Sequence, residues 1–491
     1  MPSMTESEKI AHLLRRFGLG ASESEMDYYA TDGLKGAIDK LINYNSYDDN
    51  WTFKNEILAN DKGILNMRAI QALFYSRVVT TNRPLQEKMT IFWHNHFATS
   101  AAKVDVPPVM DKHIQVLREN ALGDFKTLLT AISQDQAMLY WLDNHENVKG
   151  KPNENFAREV MELFTLGIGN YSEKDIQEAA RAFTGWTFGI QRGNRVVQAK
   201  KPAPRTTFVS NDDIHDDGMK SVLGKSGTFG GEDVIDVLCA QAQTARYITT
   251  KMWTWFAYSD PEPAVIERLA RVFRNSNLSI KALVRAIMES PEFYSEKSEK
   301  GWIKSPIDFT VSAARSLGLG RLLHANLSNI QEGDIDGGRR AVGLAGMLMQ
   351  SSKAMGMELL YPPDVSGWKP GPEWITSATM VERIKFADRV IGGGYQGLNN
   401  PNANKQQPGN QKNGNLFAVF IWNQIEQSPD PQVAANRLMN LFGAQSLKSK
   451  LPALTEAARV ASGGKVTQGN CINVSRAVTR LIFGSPEYQF G

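Results

Sequence analysis

The chain has 491 residues, 42% hydrophobic and 22% charged, with 55 Lys and Arg against 52 Asp and Glu for a formal net charge of +3. That composition belongs to a folded protein rather than a disordered one. The balanced charge, with no run of five Lys or Arg, argues against a dedicated nucleic-acid binder, which gathers basic charge against phosphates. At ~100–200 residues per domain the length corresponds to roughly two to four domains, or to a helical assembly with insertions. No apolar run reaches the ~18 residues of a transmembrane helix. The N-terminal MPSMTESEKIAHLL shows no basic segment followed by an apolar one, so no signal peptide is visible. The expected location is the cytoplasm, or outside it as a mature exported form.

Residues 1–185 read as successive helices. Ser22 and Glu25 form a capping pair. Residues 64–79 carry helical apolar spacing without Gly or Pro, and Pro84 suits the first turn of a helix running to about Phe97. Further helices are expected over 109–119, 124–133, 154–166 and 172–183, the last capped by Ser172 with Asp175. In residues 186–231 the pattern changes: TFGIQ, RVVQA and RTTFV alternate β-branched and aromatic residues between turn formers, which predicts a small β-hairpin or sheet. SNDDIHDDGMKSVLG within it reads as a polar loop and a turn.

Helices resume over 232–391. Residues 392–415, GGGYQGLNNPNANKQQPGNQKNGN, read as a flexible loop or linker, and 416–491 are helical again. The fold class is therefore mainly α, a multi-helix array with one small β insertion. Cys239 and Cys471 sit in apolar helical patterns; a buried free thiol is the expectation for each, and a disulfide between them stays open. AIMESPEF (286–293) and LIFGSPEY (481–488) echo each other, too briefly to define a repeat architecture.

Four constellations carry chemistry. FWHNHF holds His94 and His96, and imidazoles are common metal ligands. On a helix, positions i and i+2 point ~200° apart, so both rings reach one ion only if the helix ends between them. The alternative is a pair of hydrogen-bonded core histidines. LDNHENVKGKPNENFAREVMELFTLG opens with Asp143 and Asn147 in a polar loop, takes Asn153 as a helix cap, and lays Asn155, Glu159 and Glu162 on one face beside Arg158. Carboxylates three apart can share a metal or act as a general base; the alternative is a solvated face with ion pairs. NDDIHDDGMK offers His215 and Asp217 as ligands, or an acidic turn. YPPDVSGWKPGPEW fixes Trp368 and Trp374 on a rigid loop, where flat faces stack on a ligand or plug the core. No Walker loop, Rossmann fingerprint, nucleophile elbow, HExxH or CxxC motif occurs, and GTFGG is too short to serve as a phosphate loop.

AHLLRRFGLGAS, FWHNHF, LDNHENVKGKPNENFAREVMELFTLG, YSEKDIQEAARAFTGW, HDDGMKSVLG, KSPIDF, LLYPPDVSGWKPGPEW and SPEYQF occur in this order over most of the chain. In them the chain resembles the bacterial family known as domain of unknown function 1800. The resemblance implies no assigned activity and no agreed catalytic residues. It implies an envelope or extracellular-polymer role, since many similar proteins look exported and neighbour proteins resembling the alkaline phosphatase and sulfatase superfamily. The lack of a visible signal sequence departs from that pattern.

Two functions follow as expectations. In the first, the chain is a metal-assisted hydrolase acting on an ester, phosphoester or glycan linkage of such a polymer. His94, His96, His215 and Asp217 hold a divalent ion, Glu159, Glu162 and Arg158 act on the bond, and Asn155, Asp143, Asn147, Trp368 and Trp374 bind substrate. In the second, it is a non-catalytic binding or assembly protein for an envelope polymer or a partner protein.

Overall fold

The computed structural model describes residues 4–51, 58–59, 63–192, 195–328, 342–392 and 416–491. The expected flexible loop at 392–415 lies, from residue 393 on, outside the described residues. The helices up to the β insertion are α1 (Glu6–Phe17), α2 (Glu23–Ala30), α3 (Gly33–Ile42), α4 (Met67–Thr80), α5 (Pro84–His96), α6 (Pro107–Glu119), α7 (Phe125–Ser133), α8 (Gln136–Trp141), α9 (Glu154–Glu159) and α10 (Glu173–Ala182). Their starts follow local chemistry. Pro84 opens α5, Asp124 accepts the Thr127 amide at the head of α7 at 2.9 Å, and Glu25 accepts both the amide and the hydroxyl of Ser22 at 2.8 Å. Ser172 and Asp175 close a reciprocal box on α10.

The expected helix over 154–166 is α only to Glu159; Val160–Leu166 is π-helical. The Thr165 hydroxyl donates to the Val160 carbonyl five residues back at 2.6 Å, which fits the wider turn. In that geometry Glu159 and Glu162 no longer stand in the simple three-apart relation of an α-helix.

The β insertion is small, as expected. β1 (Trp186–Arg192) is the centre of an antiparallel sheet with β2 (Arg195–Gln198) and β3 (Thr207–Ser210). The stretch read as a loop and a turn also contributes a strand: β4 (Lys220–Val222) pairs with β5 (Lys225–Gly227). The helices resume with α11 (Gly231–Cys239), α12 (Ala242–Phe256), α13 (Pro263–Asn275), α14 (Ile280–Met288), α15 (Glu296–Lys300), α16 (Pro306–Ser316), α17 (Leu319–Ser328) and α18 (Gly343–Ala354). After them come α19 (Ser377–Val390), α20 (Leu416–Gln424), α21 (Pro431–Leu441), α22 (Leu451–Ser462), α23 (Cys471–Gly484) and α24 (Pro486–Gln489). One contiguous set of buried apolar side chains runs from Ile10 to Tyr488. Both cysteines are free thiols. No described helix is long and apolar enough to cross a membrane.

Two helices share one local design. The hydroxyl of Thr5 accepts the Glu8 amide at the head of α1 at 3.3 Å, and that of Ser305 accepts the Asp308 amide at the head of α16 at 3.2 Å. α1 ends in RRFGLG (15–20) and α16 in RSLGLG (315–320). The two meet where Gly20 passes Ser312: a Cβ at Gly20 would stand 2.8 Å from the Ser312 Cβ. The chain's last residues return to this place. Lys304 N–H donates to the Gln489 carbonyl at 2.9 Å and Gly491 N–H to that of Trp302 at 3.1 Å.

Candidate functional site

His94 and His96 both lie in the core, at 0% and 3% exposure. Nε2 of His94 accepts the Leu360 amide at 3.0 Å. Nε2 of His96 faces the Phe164 carbonyl at 3.2 Å, so it carries the proton and donates. Burial, with the field of His113, pulls the pKa of His94 down to about 3. Burial first, and Lys251 second, pull that of His96 well below the ordinary range. Both are neutral core imidazoles with one nitrogen committed to backbone. α5 and the π-helical segment do meet, but through the Phe164 backbone.

The polar loop at 143–153 is a hydrogen-bond network that fixes its own backbone. Asn147 is 1% exposed. Its Nδ2 donates to Ala180 O at 2.9 Å and to Asn144 Oδ1 at 3.1 Å, and its Oδ1 accepts the Asn153 amide at 2.9 Å. Asn155 is exposed and donates to the Leu142 carbonyl at 3.2 Å. Asp143 pairs with Lys103 at 2.6 Å. Arg158 forks onto Glu173 at 2.9 and 2.7 Å. Glu162 accepts the Tyr171 hydroxyl. Glu159 is half-buried, and burial together with the Glu162 charge raises its pKa.

The third cluster stands apart from both. His215 donates from Nδ1 to the Thr184 carbonyl at 2.8 Å. Asp217 is exposed and pairs with Lys149 at 3.2 Å. The neighbouring Asp216 is the structural member, held by Arg181 at 2.8 Å, which lowers its pKa to about 2. Trp368 and Trp374 are each 5% exposed, so neither offers an open stacking face; both plug the core. The Trp368 amide donates to Asn95 Oδ1 at 2.7 Å. Gly367, at φ +78°, passes α5 so closely that a Cβ would stand 2.4 Å from the Asn95 carbonyl oxygen. Among the described residues, no three His, Cys, Asp or Glu side chains are grouped to hold a metal ion. His94, His96, His215 and Asp217 are therefore not brought together as one ligand set.

A further hollow lies elsewhere. A cleft of about 820 Å³ opens between α1, α2, α16 and the turn after α21, with Arg15, Trp302, Lys304, Asp308, Phe442 and Lys448 on its walls. Buried charged groups stand behind its walls. Arg16, fully buried, donates to the carbonyls of Gly491 at 3.0 Å, Ala257 at 2.9 Å, Phe256 at 3.2 Å and Ser298. Lys88 pairs with Asp308. Lys304 donates to the Tyr488 carbonyl at 3.0 Å, and Arg383 to Gln489 Oε1 at 3.0 Å and Lys304 O at 2.8 Å. The Trp302 face lies under Arg16, 4.6 Å from its guanidinium carbon. Burial depresses the pKa of Arg16 and Lys304 well below the ordinary range, and the neighbouring Arg15 lowers both further. Sequence reading passed over these residues. The signal was present: two adjacent arginines inside an apolar helix, RRFGLG, and the same ending 300 positions on as RSLGLG.

Fold and cleft define a mainly α-helical protein with a small antiparallel insertion and a hollow, backed by buried cations, between two helices of like design. The chain belongs to the family described as Protein of unknown function (DUF1800), which matches residues 12–490. No curated protein and no solved structure matches it.

Proposed function

We propose that the protein is a binding protein whose ligand seats in the cleft between α1 and α16, the second of the two functions expected from sequence. One observation carries this reading. The cleft, at about 820 Å³, has the size of a small-molecule or chain-segment site and is walled by both polar and aromatic groups, whereas the expected metal ligands are engaged separately. A short stretch of an envelope polymer, or a segment of a partner protein, is the class of ligand in keeping with the family resemblance. The test is ligand-observed NMR with a library of small fragments on the full chain and on Ala11→Trp, which fills the cleft from the exposed side of α1. Fragments that bind the native chain and are lost in Ala11→Trp support the reading. Equal binding to both removes it.

Hydrolysis of an ester, phosphoester or glycan linkage is the second reading, and one observation favours it. Glu159 is half-buried with a raised pKa beside Glu162, which accepts from Tyr171. Two neighbouring carboxyls, one of them with its pKa raised by burial, are the parts of general acid–base catalysis. Its test is release of reducing ends or of phosphate from envelope polymer. Turnover that disappears in Glu159→Gln supports it, and its persistence there rejects it. The metal-assisted version adds a stoichiometric divalent ion, which elemental analysis of the purified protein measures.

A further inference from the structure

The buried groups at the back of the cleft are four cations, Arg16, Lys88, Lys304 and Arg383, to one carboxylate, Asp308. Arg15 and Lys304 line it, and Arg16, Lys88 and Arg383 stand behind them, each of these last three at 1% exposure or less. Asp308 is the one carboxylate among these five cations, and Lys88 already occupies it. The other acids on its walls, Glu8, Glu23 and Asp27, are exposed. Glu8 caps α1 through Thr5, and Glu23 is forked by Arg437. Glu299, also exposed, reaches Arg15 and Arg16 only through its field, and Glu8 reaches Arg15 in the same way.

Four of the five cations are satisfied by the fold. Arg16, Lys304 and Arg383 donate to carbonyl oxygens, and Lys88 to Asp308. Arg15 differs: among the described residues its guanidinium has no hydrogen-bond or ion-pair partner, although burial lowers its pKa. Its counterpart in the second helix of the same design shows what a structural arginine looks like there. Arg315 is 3% exposed and donates to the carbonyls of Val78, Val79 and Thr81 at 3.1–3.3 Å, and to Glu25. An unpaired guanidinium on the wall of a hollow backed by buried cations is a receptor for an oxyanion, because its planar fork matches two oxygens at once.

We propose that the cleft captures a doubly charged oxyanion, phosphate or sulfate, with Arg15 as its receptor and Lys448 steering it at the rim. The inference rests on the reading of the cleft as the ligand site and names the group that site recognises. A single carboxylate would leave most of the surplus charge unanswered, so the doubly charged group is favoured over acetate. The hollow far exceeds one ion, so the oxyanion is borne by a larger ligand. Lys448 is exposed and, among the described residues, without an ion-pair partner.

The experiment is isothermal titration of the full chain with sodium phosphate, sodium sulfate, sodium acetate and glucose 6-phosphate, at ionic strength fixed with sodium chloride. The expected result is saturable binding of phosphate and sulfate, at least tenfold weaker binding of acetate, and tighter binding of glucose 6-phosphate than of phosphate. Arg15→Gln, which removes no bond of the fold, weakens the oxyanions at least tenfold, and Lys448→Gln two- to threefold; thermal melts confirm that both variants fold. Absence of oxyanion binding, or unchanged affinity in Arg15→Gln, overturns the inference. If fragments still bind and Ala11→Trp still excludes them in that case, the cleft remains the ligand site and only the oxyanion falls. Phosphate binding as tight as that of glucose 6-phosphate, lost in Arg15→Gln, upholds the receptor with the free ion as its ligand.

Discussion

Nε2 of His94 accepts the Leu360 amide at 3.0 Å, and this one bond fixes the ring's chemistry. The accepting nitrogen has no proton, so the hydrogen is on Nδ1, and the lone pair that a metal would use is directed at a backbone amide. The bond also holds a strained residue: Leu360 has φ +69°, and its carbonyl accepts the Ala101 amide at 2.8 Å. Such a conformation persists only where its surroundings fix it.

The pH dependence follows from the same ring. The folded pKa of His94, about 3, lies below its ordinary 6.5, so between those limits the unfolded chain binds the extra proton. The stability due to the neutral ring is complete above about pH 6.5 and falls as pH drops, by about 1.4 kcal/mol per unit, or about 2 kcal/mol by pH 5. His94→Gln keeps an acceptor without a titrating group. Urea unfolding at pH 7.5 and 5.0 is expected to show a smaller loss in this variant than in the native chain. An identical loss would place the proton uptake elsewhere.

Asn147→Ala strips a buried side chain from the Ala180 carbonyl and the Asn153 amide. Leaving buried backbone groups unpaired costs about 1–3 kcal/mol. A fall of that size in unfolding free energy, with faster proteolytic cutting between Asp143 and Asn153, is the expected outcome. A variant as stable and as resistant as the native chain would show that the network is not structural.

The helices were legible in the sequence because apolar periodicity and caps are local. Pro84, Asp124, Ser172 with Asp175, and Asn153 all start helices where their chemistry places them. The β insertion was legible for the same reason, apart from Lys220–Val222, which is too short to alternate. The π-helical turn at Val160–Leu166 was not legible, since it depends on tertiary packing rather than on propensity. The site was harder still. His94, Trp368 and Asn147 look like binding chemistry in sequence, yet each is held inside the fold by a partner far along the chain: the Leu360 amide, Asn95 and the Ala180 carbonyl. Arg15 looks like a solvated helix charge, and only the fold shows the hollow in front of it.

Trp368→Ala removes an indole that packs edge-on against His94, with ring centres 5.5 Å apart. Truncating a buried Trp costs about 3–5 kcal/mol. The melting temperature is therefore expected to fall sharply, while the folded fraction keeps its affinity for fragments in the cleft. Lost affinity with an unchanged melting temperature would return Trp368 to a ligand-binding role.

Arg158→Ala deletes only surface pairs, with Glu173 and Glu154. Exposed ion pairs contribute little. Melting curves and fragment binding that superimpose on those of the native chain are expected, and a selective loss of polymer turnover would instead support the hydrolase.

The most direct measurement is a crystal structure of the full chain soaked with glucose 6-phosphate. The phosphate is expected within hydrogen-bond distance of Arg15, with the sugar extending toward Phe442 in the cleft. Ligand density confined to the face of Glu159 and Glu162, with the cleft holding only water, would contradict it.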